Sequence, residues 1–228
     1  MWVRSMDKFN VNLFIALFPK ILRFLPETFN LAILSAVFAL LFAVLIAIIR
    51  QYRIRGLYAL SSVYVSFFRC TPFVAQLFWF YYGLTQVFES IKLMSPFTAL
   101  VICMSANYAA FMSEDIRAAL NSVSKAQYEA GLSIGMKPLQ VVRRIILPQA
   151  ARVAAPGLSN HFIGIFKSTS IGFMIGYKDM MAAVGLETSK AYRFLEGYTV
   201  AIIVYWIILA VLSYGQKKLE KRLNVNYR

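Results

Sequence analysis

The feature that most constrains this chain is the run Asn30 to Ile49, NLAILSAVFALLFAVLIAII, which contains no charged residue. A helix needs about 20 such residues to cross a bilayer core of roughly 30 Å. The run stops abruptly at Arg50, Arg53 and Arg55. Composition extends the point to the whole chain: 60% of its 228 residues are hydrophobic and 15% are charged. Soluble domains sit near 45–50% apolar and about 25% charged. So much apolar surface calls for lipid as the solvent, and the length suits one domain of several spans.

Four further segments read as spans. The second covers about Leu57 to Phe88, where Pro72 must break or kink the helix. The third is about Pro96 to Leu120. The fourth begins after Pro148 and passes through GLSNHFIGIFKSTSIGFMIG, and the fifth is Tyr198 to Ser213. The expected fold is therefore an all-α integral membrane protein with five transmembrane helices. Ahead of them, Leu13, Leu17, Ile21 and Leu25 recur every four residues, which predicts an N-terminal interfacial helix within residues 1–29. That segment has Pro19, Lys20 and Arg23 among its apolar residues and does not read as a cleavable signal. Residues 30–223 are expected to form the membrane domain and 224–228 a C-terminal tail. Tyr177 to Gly197 reads as an extracellular loop with a short helix in it.

The net charge of +14 is assigned to topology rather than to nucleic acid. Lys and Arg accumulate in cytoplasmic loops. One set of loops holds Arg50, Arg53, Arg55, Arg117, the cations from Lys125 to Arg152, and the tail from Lys217 to Arg228. The opposite set holds Arg4, Lys8, Lys20, Arg23, Lys92, Lys167, Lys178, Lys190 and Arg193. The first set is the richer, which predicts an N-terminus outside and a C-terminus in the cytoplasm. Cys70 and Cys103 sit in apolar segments and read as small hydrophobes rather than a disulfide framework. A lone His161 excludes a His-rich metal site.

One stretch is too polar and too broken to span: SKAQYEAGLSIGMKPLQVVRRIILPQA, Ser124 to Ala150. Ser124 with Gln127 predicts a capping box. A first helix then runs from Lys125 to Ile134, and Gly135 ends it in the left-handed conformation. Pro138 opens a second helix, and Pro148 is expected to separate that helix from the fourth span. Such a hairpin would lie on the cytoplasmic surface, either pinned by headgroups or offering a side to a partner.

A resemblance shifts the balance toward the second. Glu129-Ala130-Gly131, three residues, Gly135, nine residues, Ile145-x-Leu147-Pro148 resembles the EAA motif of importer-type ABC transporter permeases, with Gly131 in place of the second alanine. FFRCTPFVAQLFWFYYG, Phe67 to Gly83, is similar to a segment of polar amino acid permeases, with Cys70 where glycine is usual. NHFIGIFKSTS, Asn160 to Ser170, is similar to another. The resemblance runs from Asn30 to Leu223. It implies a type I ABC importer permease of the polar amino acid uptake (histidine/glutamine/cystine-type) family in a bacterial cytoplasmic membrane. It also implies coupling helices at about 124–147 that dock on a separate ATP-binding subunit through Glu129, Ala130, Gly131, Gly135, Ile145, Leu147 and Pro148. A second permease subunit and a substrate-binding protein complete the implied assembly. No G-x-x-x-x-G-K-[ST] occurs, so any ATP is expected on the partner and no cofactor on this chain.

Polar groups at membrane depth are costly and mark candidate sites. Arg69, Thr71 and Gln76 flank Pro72, and Asn160, His161 and Ser168 lie on the fourth span with Lys167 beside them. His161 and Ser168 are seven apart, on one helical face with Gly157 and Gly164. These groups suit a zwitterion, with Arg69 meeting its carboxylate; they equally suit hydrogen bonds between helices. The resemblance adds that permeases for basic amino acids can carry acids at the positions of His161 and Ser168. Neither is acidic here, so a neutral or polar amino acid is expected, with cystine as one candidate. An ion-coupled carrier or channel acting alone is the alternative. Such proteins often place carboxylates within their spans, and here only Glu114 and Asp115, near the end of the third span, qualify.

Overall fold

A computed structural model describes residues 9–224. Arg4, Lys8, Arg228 and the end of the tail lie outside these residues. Every regular element among the described residues is helical. The α-helices are α1 (Val11–Leu22), α2 (Leu25–Gln51), α3 (Leu57–Cys70), α4 (Phe73–Phe78), α5 (Glu89–Lys92), α6 (Pro96–Ser122), α7 (Lys125–Ser133), α8 (Pro138–Val141), α9 (Leu147–Ser168), α10 (Met180–Ala191) and α11 (Phe194–Asn224).

Helix α6 is the axis of the bundle, with α2 along one side and α9 along another. The α2 contact follows from small residues. Ala32, Ser35, Ala39, Ala43 and Ala47 recur every three or four positions and are all fully buried. Small side chains let two helix backbones approach closely, which stands in for the hydrophobic drive that lipid removes. Ser105 Oγ on α6 donates to the Ser35 carbonyl at 3.1 Å across this contact. The opposite face of α2, with Val37, Leu41, Phe42 and Leu45, is exposed. Large apolar side chains turned outward suit a hydrocarbon solvent.

Helices α2, α6 and the segment Phe194–Arg222 of α11 are long and apolar enough to cross a membrane. The other two expected spans take different forms. The second breaks as Pro72 requires: Thr71 and Pro72 are extended, α4 restarts at Phe73, and a π turn covers Trp79–Gly83. The fourth is α9, continued by a 3₁₀ segment over Thr169–Ile175 that ends at left-handed Gly176.

Three expectations are corrected. Pro148 does not separate the second short helix from the fourth span. The chain stays helical from Pro138 to Ser168, with a π turn over Val142–Ile146 just ahead of Pro148. A proline ring clashes with the carbonyl four residues back in a regular helix; the wider turn relieves that clash. Second, Ser124 and Gln127 do not form a capping box. Ser124 Oγ accepts from the Ala126 N–H at 3.3 Å, while the Gln127 amide oxygen accepts from Gln149 at 2.7 Å. Third, Leu25 does not continue the N-terminal stripe. The helix breaks at Arg23–Phe24, and Leu25 opens α2, with Pro26 in its first turn.

Helix α1 exists where the stripe predicts it, and its apolar face is taken up by protein. Leu17 and Ile21 are buried, and α1 packs on α10 and α11. Lys20 Nζ reaches Glu187 of α10 at 2.5 Å, and Lys190 reaches the same carboxylate at 2.9 Å. These two ammonium groups hold Glu187 below the usual carboxylate range. Helix α10 occupies the loop where a short helix was expected. Its N-cap is Asp179, which accepts from the Ala182 N–H at 2.8 Å. Burial raises the Asp179 carboxyl to about 6, and its Oδ2 has no hydrogen-bond partner among the described residues.

Candidate functional site

The polar residues of α9 and α6 meet along a seam. Gly157, His161, Gly164 and Ser168 repeat at four, three and four residues, which is one helical face. Opposite them α6 sets Tyr108, Phe111 and Asp115. His161 Nε2 lies 3.0 Å from Asp115 Oδ2, and the Tyr108 hydroxyl lies 2.9 Å from Ser168 Oγ. The Tyr108 and Phe111 rings both stand 6.2 Å from the imidazole, centre to centre. The glycines make the seam possible. A Cβ on Gly157 would collide with Asp115 Oδ2, and one on Gly164 would stand 2.9 Å from the Tyr108 oxygen.

Next to Asp115 in the chain, Glu114 gathers guanidinium groups from three helices. Arg50 of α2 bonds Glu114 Oε1. Arg117 reaches Oε2 at 3.0 Å and Arg69 of α3 stands 3.9 Å from it. Arg69 also lies over the Phe111 ring, 5.8 Å from its centre. A cavity of about 440 Å³ opens between Arg50, Arg69, Cys70 and Phe111. Three guanidinium groups against Glu114 and Asp115 leave this end of the seam net positive.

The remaining expected residues go elsewhere. Gln76 is buried in a knot around the Pro72 break. Its amide donates to the Phe68 carbonyl at 3.2 Å, the Thr71 carbonyl at 3.1 Å and Thr71 Oγ1 at 2.7 Å. Its Oε1 accepts from Asn107 Nδ2 of α6 at 2.9 Å. The knot satisfies carbonyls that the broken helix leaves without N–H partners. Asn160 turns away from the seam: its Oδ1 accepts from Gln216 of α11 at 3.0 Å. His161 and Ser168 thus share a seam, with Arg69 at its edge; Thr71 and Gln76 share the knot; Asn160 stands apart. Sequence reasoning missed Asn107 and Tyr108, and did not place Asp115 against His161. The spacing Tyr108, Phe111, Asp115 on one face of α6 was the available signal.

The hairpin is built as expected at its turn. Gly135 has φ +82°. Its N–H bonds the Leu132 carbonyl at 2.9 Å, and the Met136 N–H bonds the Gly131 carbonyl at 3.1 Å. That pair of bonds closes a helix end on a left-handed residue. Gly131, the departure from the motif, is buried. A Cβ there would sit 2.8 Å from Val141 Cγ2, so glycine is what lets α7 lie on α8. The hairpin leaves Glu129 and Ala130 exposed, along with Leu147 and Pro148. Ile134 is 78% and Leu139 76% exposed, while Ile145 is half-buried against the hairpin.

Comparison with known proteins gives this arrangement a context. A family described as binding-protein-dependent transport system inner membrane component matches residues 39–225. The chain is 41% identical over 219 residues to a probable amino-acid ABC transporter permease protein, PatM, of Vibrio harveyi, covering 96% of this chain and 98% of that one. It is 39% identical over 199 residues to the L-cystine transport system permease protein TcyB of Bacillus subtilis (strain 168), covering 86% and 83%. A solved structure, described as an amino acid ABC transporter with histidines, superposes with a TM-score of 0.86 at 28% identity, covering 94% of this chain and 99% of that one.

Proposed function

The chain belongs to the family of binding-protein-dependent transport system inner membrane components, and from that premise we propose how it handles its cargo. It is the permease subunit of an amino acid ABC importer. The family implies an ATP-binding subunit and a substrate-binding protein as partners. In our reading the chain crosses the membrane five times with the hairpin and C-terminus in the cytoplasm. It works with a second permease copy or paralogue, and the hairpin receives the ATPase. The ion-coupled alternative has no such premise behind it.

The observation that carries this reading is the unbroken helical run from Pro138 to Ser168. One end is the exposed hairpin and the other holds His161 and Ser168. Movement of the hairpin as the ATPases close would therefore be delivered directly to the seam. The seam would alternate between sides, and transport follows from its different affinity in the two arrangements.

The cargo proposed is a neutral or polar amino acid, with cystine as one candidate. The Asp115 carboxylate faces His161, and Glu114 is committed to arginines. A cationic side chain would find no free counter-charge there, and an uncompensated buried charge is expensive. The excess of guanidinium suits the substrate's carboxylate instead.

The test is uptake into proteoliposomes holding the permease, its ATPase and its binding protein. Neutral amino acids should compete with labelled cystine better than arginine or lysine does; the reverse order would overturn the cargo. A Leu139→Cys permease should cross-link to the ATPase. Absence of any ATPase adduct from hairpin cysteines would overturn the coupling role.

A further inference from the structure

A second cavity, of about 700 Å³, plays no part in the seam. It is a groove on the outward side of α2, α3 and α6, walled by Phe38, Phe42, Ile46, Ile49, Leu57 and Leu60. Four hydroxyl groups also line it, and each is already engaged. Ser61 Oγ donates to the Tyr58 carbonyl at 2.9 Å and Ser105 Oγ to the Ser35 carbonyl at 3.1 Å. The Tyr64 hydroxyl donates to the Ala106 carbonyl at 2.5 Å, and Thr98 Oγ1 pairs with Ser95 Oγ at 2.9 Å. The groove therefore presents carbon and nothing that would reward a zwitterion.

Its length and its mouth identify the occupant. From Phe38 to Ile49 on α2 is about 16 Å at the helical rise, close to half of a bilayer core of roughly 30 Å. That is the depth of one leaflet. The groove ends at Ile49 and Leu57, the residues that bracket the tight loop carrying Arg53 and Arg55. Arg53 takes the left-handed conformation, with φ +48°, and its guanidinium lies 5.9 Å from the centre of the Tyr58 ring. Both arginines are exposed, and neither forms an ion pair among the described residues. We infer that this groove holds an acyl chain of an anionic phospholipid from the leaflet at the Arg50 end, with the phosphate on Arg53 and Arg55. The inference rests on the membrane assignment of α2 and is independent of the cargo.

The test uses the complete transporter, permease with ATPase, stripped of lipid in mild detergent and examined by native mass spectrometry. The probes are dioleoyl phosphatidylglycerol, dioleoyl phosphatidylcholine and oleate. Phosphatidylglycerol should be retained over phosphatidylcholine by roughly 30-fold, since each arginine near a headgroup contributes attraction of about the size that gives fivefold. Arg53→Gln with Arg55→Gln should collapse the preference to below about threefold and leave phosphatidylcholine unchanged. Ala106→Phe, which fills the groove, should reduce retention of both lipids. Leu60→Trp, from the exposed rim, should do the same if Ala106→Phe fails to assemble. Equal retention of the two phospholipids, or a preference that survives the arginine pair, overturns the inference. So does oleate displacing phosphatidylglycerol at equal concentration, which would make the ligand a free fatty acid. Disulfide formation between Leu60→Cys permeases in native membranes, with no retained lipid, would show a second copy in the groove and also overturn it.

Discussion

The seam between α6 and α9 and the hairpin of α7 and α8 both depend on glycine, for opposite physical reasons. At the seam, Gly157 and Gly164 are empty volumes that Asp115 and Tyr108 fill. At the hairpin, Gly135 has open space around it and a backbone angle that other residues rarely adopt. A side chain added at the seam meets atoms; one added at Gly135 meets only backbone strain. One region is specified by what it touches and the other by how its chain turns. The first is therefore repairable from across the interface, and the second is repairable only at the residue itself.

The sharpest way to break that contrast is at Gly157. Gly157→Val should abolish uptake, a loss of at least about 100-fold of the kind expected when a site is misplaced by an ångström. Gly157→Ala should be impaired and should regain assembly when combined with Asp115→Ala, which removes the colliding carboxylate. Thermal stability of the purified transporter checks the rescue; a double variant no better than Gly157→Ala would refute the volume argument.

Next in size is the pair within the seam. His161→Ala and Asp115→Ala should each lower transport, and together they should cost less than their sum. A double-mutant cycle on uptake should give a coupling energy of about 0.5–3 kcal/mol. Strict additivity would mean that the 3.0 Å contact carries no energy.

Gly135→Ala should cost about 1–2 kcal/mol in hairpin stability, while Gly135→Asn should recover much of it because Asn tolerates the left-handed region. Stimulation of the ATPase by substrate is the readout. Equal behaviour of Ala and Asn would show that strain is not the issue there.

A pH-dependent effect lies at Asp179, outside both regions. Its carboxyl is raised to about 6 in the folded state, above an ordinary aspartate at about 3.9. The folded state therefore holds its proton more tightly than the unfolded one. Stability should fall as pH rises from about 4 through 6, and level off above that. Asp179→Asn, which keeps an oxygen for the Ala182 N–H, should flatten this slope in melting curves of the detergent-solubilised transporter.

What the sequence revealed follows the same division. Features written locally were legible: the charge-free run of α2, the break at Pro72, the turn at Gly135 and the short helix α10. Features written across helices were not. His161 and Ser168 were found on one face, but Asp115 and Tyr108 belong to another helix and no local period links them. Gln76 read as a ligand group because its amide lies in an apolar run; the broken backbone beside it takes that amide up. Asn160 immediately precedes His161 yet is rotated about 100° from it on the helix, enough to face α11 instead. Pro148 misled because a proline predicts an interruption, whereas a π turn of five residues absorbed it.

Glu114 carries a mechanical consequence. Its carboxylate holds Arg50 of α2 and Arg117 of its own helix, with Arg69 of α3 close by. Drawing α2 away from α6 would strand a guanidinium whose side chain is only 14% exposed, at a cost of several kcal/mol for an unpaired buried charge. Those two helices should therefore travel as a single rigid body during the transport cycle. The hinge then falls where the helix is already broken, at Thr71–Pro72.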